Sequence, residues 1–119
     1  METKKETTIR DMIRERAEEI RHVGQIGPHR AAEVLTELSS LLSSLNSEIT
    51  EHEYWYHQKV VELLKEHEKA NRAEIFARAC PEWKELRERQ AQQKALMEMI
   101  RALKYFLRTS EEEMKESRY

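Results

Sequence analysis

Five basic residues recur at every seventh position toward the end of the chain, Arg87, Lys94, Arg101, Arg108 and Lys115, with Lys104 and Arg118 close by. Seven-residue recurrence returns to nearly the same face of an α-helix, so these side chains form one cationic stripe bordering the apolar arc that the helix buries. Two kinds of chemistry suit such a stripe. It can follow a nucleic-acid backbone, with Trp83, Tyr105 or Phe106 available for base stacking. It can equally pair with glutamates of a facing helix such as Glu33, Glu37, Glu48, Glu51 and Glu53, because residues 28–60 hold two basic and five acidic side chains. Both readings stay open on the sequence.

The densest aromatic cluster is Tyr54-Trp55-Tyr56, flanked by His52, His57 and Lys59. Three consecutive helical positions cover about 200° of the circumference, so one neighbouring helix cannot bury all three rings. At least one ring is expected at an interface or a ligand. Tyr56 fits a core position, with the others wrapping a helix contact, stacking on a single-stranded base or anchoring a protein partner. The candidate nucleic-acid or partner-binding residues are therefore Arg87, Lys94, Arg101, Lys104, Arg108, Tyr54 and Trp55.

Catalytic chemistry finds little to work with, and a non-enzymatic protein without cofactor, metal site or small-molecule substrate is expected. Glu19-x-x-His22 matches half of a di-iron bundle motif, but a second Glu-x-x-His is needed and none occurs. His52 and His57, five apart, point to different faces. The lone Cys80 precedes Pro81 at a helix junction, with no histidine placed beside it to activate a thiolate, and reads as a structural thiol.

The elements that carry these residues are marked out by only two glycines and two prolines, Gly24, Gly27, Pro28 and Pro81. Such sparse breakers predict an all-α chain, an elongated helical hairpin or bundle of three to four helices with coiled-coil-like packing. One helical domain over 1–119 is expected, with residues 1–7 frayed and helices at about 8–23, 28–49, 50–79 and 81–116. Thr8 and Asp11 suggest an approximate capping box, Gly24 a helix end, and Gly27-Pro28 the next start. Leu35, Leu38, Leu42, Leu45 and Ile49 repeat with coiled-coil spacing, roughly continued by His52, Tyr56, Val60 and Leu63. A kink or break is favoured near Asn46-Ser47, where Thr50-x-x-Glu53 offers a second capping box. In the last helix, residues 96–107 are apolar over a wide arc, whereas 84–94 offer little to bury.

Only 39% of the chain is apolar and 37% is charged, which favours covering an apolar stripe with partner helices and hence a homo-oligomer. With 21 basic against 23 acidic residues, there is no global basicity of the kind that holds a protein on duplex DNA. No apolar run approaches a membrane span, and METKKETTIRDM lacks a signal-peptide apolar region, so no membrane partner is expected.

From Leu96 onward, LMEMIRALKYFLRTSEEEMKESRY, with its I-R-x-L-K-x-x-L pattern, resembles the C-terminal ends of short, charged helical accessory proteins of bacteriophages and prophages. The resemblance covers about a quarter of the chain and brings no catalytic residues. It implies a phage early protein in the cytoplasm of a bacterial host cell, in a neighbourhood of single-strand annealing and single-strand-binding proteins. The leading expectation is an accessory role in phage DNA replication or recombination, through single-stranded DNA or its binding proteins. The alternatives are a protein-binding inhibitor of a host nuclease or defence complex, and a virion scaffolding coiled coil.

Overall fold

The computed structural model describes residues 8–67 and 69–116, with the backbone alone for residues 23–25. The fraying expected of residues 1–7, and the cation Arg118, lie outside the described residues. The protein is all-α: α1 (Ile9–Arg21), α2 (Val23–Glu66), α3 (Ala70–Arg78) and α4 (Pro81–Glu116), with no strand among the described residues.

Helix α1 starts on the capping box that Thr8 and Asp11 suggest. The Asp11 N–H donates to Thr8 Oγ1 at 3.1 Å, while Asp11 Oδ2 accepts from the Thr8 N–H at 3.4 Å and its hydroxyl at 2.8 Å. Two backbone donors that the first turn leaves open are thus satisfied. The hydrogen bonds from Thr8 hold the Asp11 carboxyl below its ordinary value.

Two helix boundaries differ from expectation. Helix α1 ends at His22, not Gly24, and the positive-φ position is Gly27, at φ 75° and ψ 162° inside α2. Pro28 explains the choice: its ring disfavours helical ψ in the preceding residue, and an extended ψ combined with positive φ is open essentially to glycine alone. A Cβ at Gly27 meets nothing within 4 Å, so any penalty there comes from the backbone. Gly27→Ala is accordingly expected to cost about 1–3 kcal/mol. A urea midpoint equal to that of the wild type would show that the junction accommodates another conformation freely.

The break expected near Asn46-Ser47 does not occur. The Ser47 and Thr50 hydroxyls donate to the carbonyls of Ser43 and Asn46, four residues back, rather than capping a new helix. Helix α2 instead stops at Glu66, so the expected 50–79 helix is interrupted before α3. Neither glycine nor proline marks that interruption.

The described residues fall into two compact units. The first joins those up to Leu42 with those from Lys94 onward, and the second is Ser43–Gln93. In the first, Ala31, Val34, Leu38, Leu96 and Leu103 are fully buried. The seam therefore enters α2 through Ala31 and Val34, while Leu35 is only half-buried. Ion pairs fasten α1 against α2. Arg30 donates through Nε and Nη2 to the two carboxylate oxygens of Glu19, at 3.0 and 2.9 Å, and Arg16 pairs with Glu19 and with Glu37 at 2.9 Å. Because 19 faces 30 and 16 faces 37, the two helices are antiparallel.

The forked contact from Arg30 is the main cause holding the Glu19 carboxyl below its ordinary value, and Glu19 in turn raises the Arg30 guanidinium above its own. A depressed folded value gives stability that is present above the ordinary carboxylate range and lost as pH falls through the depressed one. Glu19→Gln should therefore lower the thermal midpoint at neutral pH. The gap from wild type should close on acidification. A gap independent of pH would mean that shape, not charge, carries the contact.

In the second unit, Leu45, Ile49, Leu63, Ala73, Ala77 and Leu86 are buried. Leu63, Ala73 and Ala77 form one cluster, against which Tyr56, Val60 and Cys80 pack. Gln93 bonds Asn46 at 2.7 Å, Arg89 Nε lies 3.6 Å from Glu48, and Tyr56 meets Trp83, so α4 runs antiparallel to α2. Leu86 corrects the view of residues 84–94 as having little to bury. In α3 it is the alanines that are buried, whereas Ile75 and Phe76 are exposed.

Candidate nucleic-acid interface

The cations of the stripe divide between the units. In the first, α4 carries Lys94, Arg101, Lys104 and Arg108, all exposed. Arg101, Lys104 and Arg108 line an open groove of about 430 Å³ together with Leu42 of α2 and Met97, Ile100 and Tyr105 of α4. The spacing explains the convergence, since 97, 101, 104 and 108 advance by four, three and four residues and stay on one face. Burial of Leu96 and Leu103 fixes the rotation of the helix and leaves this face outward. Tyr105 is 70% exposed at the groove and Met97 47%. The groove thus has an apolar floor, an accessible phenol ring and three guanidinium or ammonium groups. Lys94 lies one heptad earlier without lining it.

The ion-pair reading of the stripe does not hold among the described residues. Glu33 meets His29 and Arg30, Glu37 meets Arg16 and Arg30, and Glu48 meets Arg89. Three of the five glutamates of the acidic segment are thus served by cations outside the stripe. Lys115 pairs within its own helix, with Glu111 at 3.8 Å. Lys94, Arg101, Lys104 and Arg108 make no ion pair among the described residues.

Arg87, in the second unit, is turned to a different use. Its guanidinium carbon lies 5.5 Å from the centroid of the Trp83 ring, and that of Arg78 lies 5.8 Å away. Trp83 also meets Tyr56 at 4.9 Å between centroids. This ring is half-buried among side chains of α2, α3 and α4. The i, i+4 spacing of Trp83 and Arg87 is the sequence signal for that stack.

No match emerges from comparison with protein-family models, curated proteins or solved structures. The chemistry has to be read from the side chains.

Tyr54 and Trp55 stay on the surface of the second unit, 57% and 51% exposed, with ring centroids 5.3 Å apart at 76°. Tyr56 is half-buried against Trp83, the inward position expected of it, and the other two rings supply the exposure that the three-residue argument requires. Among the described residues, no group of three or more histidine, cysteine, aspartate or glutamate side chains could hold a metal ion. Glu19 is engaged by two arginines and His22 lies 3.7 Å from Glu18, so the two residues of the Glu19-x-x-His22 pattern turn to different partners. Cys80 is half-buried, and its thiol donates to the Phe76 carbonyl at 3.1 Å. No described helix is long and apolar enough to cross a membrane.

Proposed function

We propose that this protein is a non-enzymatic, oligomeric helical accessory protein that binds single-stranded nucleic acid along the α4 groove and assists phage DNA replication or recombination. The observation that carries the reading is the convergence of Arg101, Lys104 and Arg108, without ion-pair partners among the described residues, around the exposed ring of Tyr105. Cations that track phosphates beside a ring that stacks on a base are the two components of sequence-tolerant single-strand binding. A single strand is favoured over duplex because an accessible ring gains nothing from bases already stacked in a helix. The net charge of −2 makes attraction local to this face. The phage setting rests on the resemblance of the segment from Leu96 onward. Self-association draws support from Val61, Leu64, Ile75 and Phe76, large apolar side chains exposed in the second unit.

The test is anisotropy of a labelled single-stranded oligonucleotide at low and at physiological salt, with a duplex of the same sequence alongside. Salt-sensitive binding that prefers the single strand is expected. Absence of binding to any single strand at low salt would remove the reading and leave a protein partner as the ligand.

A further inference from the structure

The exposed aromatic pair of the second unit stands in a groove of opposite electrostatic character. Tyr54, Trp55, Gln58, Lys59 and Glu62 of α2 line it with Glu82 of the first turn of α4, around about 300 Å³. Oε2 of Glu82 is buried and has no hydrogen-bond partner. A buried carboxylate oxygen left unpaired is costly, because it gives up water without a donor in exchange. Lys59 does not relieve it, since its ammonium leans toward Glu62 at a long 3.6 Å. That oxygen is sealed from solvent, so an incoming donor meets the carboxylate at Oε1, beside two accessible rings held edge to face.

We propose that the Tyr54–Trp55–Glu82 groove is a binding site for an arginine side chain presented by a basic segment of a protein partner. A guanidinium meets both features at once: its plane stacks on indole or phenol faces, and an N–H donates to the open carboxylate oxygen. Lysine meets the charge but lacks the plane. A nucleic-acid strand is disfavoured here because its phosphates would approach Glu62 and Glu82, so these rings are separate in function from Tyr105. The site does not depend on the single-strand reading of the α4 groove.

Calorimetric titration with a hexa-arginine peptide tests the site, with hexa-citrulline as the uncharged isostere and hexa-lysine as the non-planar cation. Binding in the order arginine, lysine, citrulline is expected. Trp55→Ala and Glu82→Gln should each weaken the arginine peptide by about tenfold, the scale of a well-formed cation–π contact. Glu112→Gln removes the same charge from an exposed position in α4 and should leave affinity unchanged. Equal weakening by Glu82→Gln and Glu112→Gln would reduce the effect to general attraction and overturn the proposal, as would citrulline binding as tightly as arginine. Trp55 is half exposed, so its truncation decides the matter even if Glu82→Gln lowers the melting midpoint. Displacement of the peptide from the wild type but not from Trp55→Ala by a single-stranded oligonucleotide would assign the rings to bases instead.

Discussion

Leu103→Asp is expected to unfold the first unit, or to destabilise the chain by roughly 3 kcal/mol or more. Leu103 has no exposed surface, and no buried polar or charged side chain is found among the described residues to receive a carboxylate. The neighbouring Ile100 provides the contrast. It is half-buried and borders the open groove, so Ile100→Asp leaves its charge a route to water and should cost less. Chemical denaturation of both variants checks the order. Equal losses would mean that the groove is closed in solution, and an unchanged midpoint for Leu103→Asp would place the core elsewhere.

Changing Lys94, Arg101, Lys104 and Arg108 together to glutamine should abolish most single-strand affinity and flatten its salt dependence. Each phosphate contact removed lowers the logarithmic salt slope by roughly 0.7 for a single strand. Fold should survive with a stability change near 0.5 kcal/mol or less per site, as befits exposed residues without ion pairs among the described residues. A large drop in melting temperature would instead reveal partners for these cations, and would revive the facing-helix reading of the stripe. Undiminished affinity would move the strand to another surface.

Helical class, the capping box at Thr8 and the inward turn of Tyr56 were all legible, because each depends on residues within one or two turns. The groove was half legible. Periodicity put Arg101 and Arg108 on one face with Lys104 beside them, but only the burial of Leu96 in place of Met97 set which way that face looks. The assignment of partners to the glutamates was not legible at all. Arg30 reaches Glu19 across eleven residues and Arg89 approaches Glu48 from another helix, contacts that any of several cations could have made on charge alone. In α3 size alone is no guide to burial, since Ala73 and Ala77 are buried and the larger Ile75 and Phe76 are not. Close helix approach selects small side chains there. The stop at Glu66, with neither glycine nor proline to mark it, left no sequence trace that propensity could register.

The two indoles of the chain occupy contrasting surroundings, which gives the second unit a built-in optical contrast. Trp83 is held against Tyr56 of α2, Arg78 of α3 and Arg87 of α4, so its emission depends on all three helices keeping their places. Trp55 has half of its surface open to solvent. An aqueous quencher such as iodide therefore reaches Trp55 first, and the emission it leaves behind comes mainly from Trp83. That residual signal reports whether the second unit is intact, while the quenchable part reports what has settled on its surface.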